Sequence, residues 1–128
     1  MGFRYHKHYT LEEARALLPQ IHVWLNQLDE KRRSLAEDER SLGVALSKGS
    51  DLGGSRVNRS IRTLAEIQEL IREFEWRQIQ IKDLDRGLLD FPAIMEGREV
   101  FLCWERGEED IEFWHDLDAG YAGREPLL

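Results

Sequence analysis

Four histidines, one cysteine and 25 carboxylates are the groups in this 128-residue chain that could hold a metal or move a proton. His6-x-His8 would set two imidazoles on one side of an extended segment, and His115 ends the last strand-like stretch. Three histidines, or two with a carboxylate, suit Zn²⁺ or a similar divalent ion. No recurrent ligand spacing is present, so His6 and His8 also read as exposed terminal residues and His115 as a hydrogen-bonded histidine at the edge of a core. Asp83-Leu84-Asp85-Arg86-Gly87 begins like a calcium loop but lacks the later ligands and the bidentate glutamate, and it reads as a hairpin turn. Glu105 and Glu108 with His115 have the types for acid–base work, yet no convergent pocket is implied, and a solvated turn is the simpler account. No catalytic residues are assigned, and no cofactor is expected beyond a divalent metal at these histidines. Arg56, Arg59 and Arg62 recur every three residues, a basic edge that opposes the dipole of the helix it opens.

The rest of the composition narrows the classes. The net charge of −7 repels a phosphate backbone, so nucleic acid is not an expected partner. The opening Met1-Gly2-Phe3-Arg4-Tyr5-His6 has no apolar signal-peptide core, no stretch is apolar enough to span a bilayer, and the single Cys103 suits a reducing compartment. The expectation is a cytoplasmic single domain over 1–128, without membrane attachment.

The elements that must position these groups fall in two halves. Thr10-Leu11-Glu12-Glu13 is a capping box. Behind it Leu11, Ala14, Leu18, Ile21, Leu25, Leu28, Leu35, Leu42 and Leu46 form a heptad stripe, with Arg32 and Glu39 in two seam positions and a kink or break expected at Pro19. A Gly/Ser-rich linker covers 47–55, and Val57, Ile61, Leu64, Ile67, Ile71 and Phe74 carry a second stripe, completing a helical hairpin over 11–78. One antiparallel register pairs Leu46 with Val57, Leu42 with Ile61, Leu35 with Ile67 and Leu28 with Phe74. A helix over 11–46 would be ~54 Å long against ~17–20 Å for a short strand, so a sheet cannot cover the whole arm. Leu35, Leu42, Leu46, Val57, Ile61 and Leu64 are therefore the candidates for self-association, with a homodimer as the expected assembly.

Residues 79–116 alternate as four strands of an antiparallel meander, and 117–128 form an irregular tail. Glu96-Gly97 as a two-residue turn pairs Ala93 with Val100, Phe91 with Leu102 and Leu89 with Trp104. A five-residue loop from Asp83 to Gly87 pairs Ile81 with Leu89, and a four-residue loop from Arg106 to Glu109 pairs Trp104 with Ile111, Leu102 with Phe113 and Val100 with His115. The opposite face then carries Asp90, Cys103 and Glu112 in one row, with Phe101 opposite Trp114. Carboxylates beside a thiol oppose its reactivity, so Cys103 reads as structural. This mixed face needs cover, from the tail, from the N-terminal 3–9 stretch as an edge strand, or from a protein partner meeting Phe101, Trp114 and Arg124. The fold class is α+β: a long helical hairpin, kinked at Pro19, packed on a four-stranded meander.

Tyr9-Thr10-Leu11-Glu12-Glu13-Ala14, Leu17-Leu18-Pro19, Gly87-Leu88-Leu89-Asp90-Phe91-Pro92-Ala93, Leu102-Cys103-Trp104, Trp114-His115 and Ala119-Gly120-Tyr121-Ala122-Gly123-Arg124 together resemble an uncharacterised bacterial family, domain of unknown function 2203. The resemblance implies a bacterial, cytoplasmic protein and carries no activity. The expected function is a non-enzymatic interaction module that self-associates through its hairpin; the alternative is a metal-binding protein or metal-dependent enzyme with its site near His115.

Overall fold

The computed structural model describes residues 2–47, 49 and 54–128, without the side chain of Leu46. It contains two helices, α1 (Leu11–Ser47) and α2 (Gly54–Glu75), followed by strands β1 (Gln80–Asp83), β2 (Leu88–Met95), β3 (Arg98–Glu105), β4 (Phe113–Asp116) and β5 (Glu125–Pro126). The strands form one antiparallel sheet in chain order, so the class is α+β. The expected four strands become five. β5 pairs Phe113 with Pro126 and Trp114 with Glu125, and the Leu127 N–H continues the ladder to the Glu112 carbonyl at 2.9 Å. A two-residue strand held by backbone bonds leaves no side-chain alternation to read.

The capping box at the start of α1 is made as its residue types require. The Glu13 N–H donates to the Thr10 hydroxyl at 3.1 Å, and the Thr10 N–H donates to the Glu13 carboxylate at 2.9 Å. The helix then continues through Pro19 without a break. The missing proline N–H removes one intrahelical bond, and its ring sits on an exposed position. The linker expected at 47–55 shortens to the residues between Ser47 and Gly54, most of which lie outside the described residues.

The chain divides into two compact units, a sheet unit of residues 1–21 with 74–128 and a helical unit of 22–73. In the sheet unit Ala14 and Ile21 of α1 are fully buried, as are Phe74, Leu89, Phe91, Val100, Trp104 and Ile111. In the helical unit two ion pairs align the helices antiparallel: Lys31 with Glu66, and Arg59 gripping Asp38 through Nε and Nη2 at 3.0 and 2.8 Å. Here the expected apolar register is corrected. Ile67 is buried and Ser60 and Thr63 are half-buried on the same side of α2, whereas Val57, Ile61 and Leu64 are 40, 62 and 46% exposed. Asp38 is nearly buried and needs a cation, and the two-pronged bond from Arg59 fixes how α2 is turned. Leu35 and Leu42 are half-buried; the Leu46 side chain lies outside the described residues.

Two of the three expected hairpin registers are those of the sheet. Leu89 faces Trp104, Phe91 faces Leu102 and Ala93 faces Val100, across a turn in which Glu96 and Gly97 both take positive φ. Ile81 faces Leu89, and Asp83 accepts from the Arg86 N–H at 3.1 Å to close the 83–87 turn. Gly87 is required there: its φ is +64°, and a Cβ on it would meet the Cβ of Arg106 at 2.6 Å. The third register is slipped by one residue. Phe101 faces His115, Leu102 faces Trp114 and Cys103 faces Phe113.

Candidate functional site

The slip originates in the loop joining β3 to β4. Glu108 turns its carboxylate back to accept from the Glu105 N–H at 2.7 Å, and its carbonyl accepts from the Trp104 indole at 2.9 Å. Asp110 takes the Ile111 N–H at 2.7 Å, so Ile111 enters the core from a loop and pairing resumes only at Phe113. Because side chains alternate, one residue of slip moves every β4 side chain to the other face. Glu112 and Trp114 leave the mixed face, and Phe113 and His115 join it.

Asp90, Cys103 and His115 thereby converge, 2, 1 and 1% exposed. One donor atom from each lies within 4.8 Å of the others, the one such grouping of histidine, cysteine and carboxylate among the described residues. His115 Nε2 is 3.0 Å from Asp90 Oδ1, and its Nδ1 is 2.7 Å from the Asp116 carbonyl. A carbonyl only accepts, so Nδ1 carries a proton, and the two bonds lock the ring in orientation. Burial pushes the Cys103 thiol up to about 12, Asp90 pushes in the same direction, and Arg124 partly offsets both. The free thiol is therefore a poor nucleophile, which agrees with its structural reading. A cleft of about 220 Å³ opens beside the three, lined also by Lys82, Leu117, Asp118 and Tyr121.

Two segments cover the rest of this face. From the N-terminus, Tyr5 packs its ring 5.5 Å from Phe101, and the Arg4 and Tyr5 N–H groups donate to the Glu99 carboxylate at 2.7 and 2.9 Å. The expected edge strand is reduced to one ladder bond, Tyr9 N–H to the Pro92 carbonyl at 2.7 Å. From the C-terminus, Arg124 stacks 4.0 Å over Phe113 and 4.2 Å over Tyr121, and donates twice to Glu108 at 3.0 and 3.1 Å. Arg86 binds Glu105 at 2.6 Å and holds its carboxyl below the usual range, while the Tyr121 hydroxyl donates to the same residue. Glu105 and Glu108 are thus anchors of the tail.

The residues singled out from sequence are scattered accordingly. His6 is exposed, His8 is bound to Glu99 at 2.7 Å, and neither joins His115. Phe101 is 1% exposed beneath Tyr5 and beside His115, Trp114 is half-buried next to Leu102, and Arg124 is taken up by Glu108. Asp90 and Cys103 were legible as row neighbours; their histidine was not, because it depended on the third register. A second notable surface is on α2, where Val57, Ile61 and Leu64 recur at four- and three-residue spacing and stay exposed.

No curated protein and no solved structure matches this chain. The family model described as "uncharacterized conserved protein (DUF2203)" matches residues 7–127, nearly the whole chain including both units and the buried Asp90, Cys103 and His115, and the protein belongs to that family.

Proposed function

We propose that this protein is a non-enzymatic bacterial interaction module of the cytoplasm that forms a homodimer through α2. The observation that carries it is the exposed stripe of Val57, Ile61 and Leu64. Three aliphatic side chains left in water on one helix face forfeit the burial that an apolar seam normally gains, about 25 cal/mol per Å². Charge selects the occupant. The first half of α2 carries Arg56 and Arg62 besides the Arg59 that binds Asp38, and the second half carries Glu69, Glu73 and Glu75, besides the Glu66 that binds Lys31, against a single basic residue, Arg72. A second copy laid antiparallel about a two-fold axis near Leu64 sets basic half against acidic half, with Val57 near Ile71 of the second copy. The same pairing accounts for arginines at a helix N-terminus, where they oppose the dipole of their own helix.

Sedimentation velocity of the full chain at tens of micromolar tests this. The expected result is twice the 15.1 kDa chain mass, weakening as salt rises because the flanking charges are exposed. Ile61→Lys combined with Leu64→Lys should give a folded monomer by circular dichroism. A wild-type monomer at that concentration overturns the reading.

A further inference from the structure

We propose that Asp90, Cys103 and His115 bind one divalent ion of the zinc class, with a fourth coordination position open to the cleft beside them. The site is distinct from the α2 surface and stands or falls independently of it. Three lines of geometry converge. First, the donor set is one carboxylate, one thiolate and one imidazole, a combination that suits Zn²⁺ or Co²⁺ and not Mg²⁺ or Ca²⁺, which take oxygen. Two anionic ligands neutralise the ion, so the complex can stay buried without leaving net charge in the sheet.

Second, the three donors already lie within 4.8 Å of each other, with Nε2 and Oδ1 at 3.0 Å. A tetrahedral ion holding ligands at ~2.0–2.3 Å spaces them roughly 3.3–3.8 Å apart, so closure asks for shifts of about an ångström at most. Third, His115 is set as ligand histidines are set. Nδ1 donates to the Asp116 carbonyl at 2.7 Å, which leaves Nε2, 3.0 Å from Asp90 Oδ1, as the ring atom that faces the other two donors and would take the ion in place of a proton.

Three protein ligands with access to a cleft describe an exchangeable site, in contrast to the closed four-ligand sites that only hold folds together. The cleft of about 220 Å³, with Lys82 at its edge, admits water or a small ligand. Asp118 and Tyr121 complete the rim, so the tail that covers the face also frames the entrance.

The experiment is a Co²⁺ titration of the untagged full chain, purified metal-free and reduced. One equivalent should bind, with the visible bands of tetrahedral cobalt and a near-ultraviolet thiolate-to-cobalt charge-transfer band, and Zn²⁺ should displace it. Cys103→Ser should abolish the charge-transfer band, and His115→Ala should weaken binding at least about tenfold. His6→Ala, at the exposed terminus, should bind as the wild type does. Should either core variant fail to fold, X-ray absorption at the zinc edge of the wild type decides, one sulfur neighbour per ion being expected. No Co²⁺ bound at millimolar concentration, a zinc shell without sulfur, or binding lost in His6→Ala would each overturn the site and leave the three residues as a buried hydrogen-bonded group. None of these outcomes bears on the dimer.

Discussion

The sheet unit and the helical unit treat their side chains in opposite ways. In the sheet unit both faces of β2 and β3 are covered: Phe91, Phe101 and Trp104 are buried, and so are Asp90 and His115, each with a named partner. In the helical unit three aliphatic residues of α2 face water, while the Ser60 hydroxyl is buried with no hydrogen-bond partner. The lesson is geometric. A sheet layered on both faces can absorb polar and apolar groups alike, provided the polar ones are paired. A two-helix arm has one seam, and apolar residues outside that seam have nowhere to go within the unit.

Mutation should separate the units sharply. Trp104→Ala has the largest expected effect, about 3–5 kcal/mol, because it removes a fully buried ring and its hydrogen bond to the Glu108 carbonyl. Urea denaturation measures it, and a loss below ~1 kcal/mol would mean the sheet is far less tightly packed than it looks.

A smaller effect is expected on acidification. Burial pushes the Glu99 carboxyl up, but the bonds from His8 and from the Tyr5 and Arg4 N–H groups outweigh it and hold it below the usual carboxylate range. A lowered folded pKa means the stabilisation is fully present above the ordinary carboxylate pKa and is lost as pH falls through the folded value. Glu99→Gln should therefore flatten the acid limb of stability between about pH 5 and pH 2 and free the N-terminal segment, read as faster amide exchange at Tyr5. Unchanged exchange in that variant would place the anchor elsewhere, with Gln78 as the next candidate because its side chain accepts from His6 and Lys7.

The smallest effect belongs to the arm. Ile61→Ser, at a site 62% exposed, should change monomer stability by no more than ~0.5 kcal/mol in dilute solution, in contrast to its effect on self-association. A larger loss in the monomer would return Ile61 to the intramolecular seam, where simple heptad reading puts it.

Much of this was legible in the residues. Thr10 and Glu13 announce the start of α1, Glu96-Gly97 sets the β2–β3 register, and the alternation of Leu89, Phe91 and Ala93 against Val100, Leu102 and Trp104 identifies the core face, because each depends on neighbours in the chain or on a tight turn. Capping and two-residue turns are short-range physics, and short-range physics is written locally.

What the tertiary structure alone decided is the rest. The β3–β4 loop chooses between two registers through the Glu108 carboxylate and the tail that pairs with β4, contacts that no repeat or spacing in the chain announces. That choice turns His115 from a rim residue into the partner of Asp90 and Cys103. In the arm, the buried Asp38 and its bond to Arg59 turn α2 and put Val57, Ile61 and Leu64 outside. A repeat states which residues share a face; only the contacts of the folded chain decide which way that face looks.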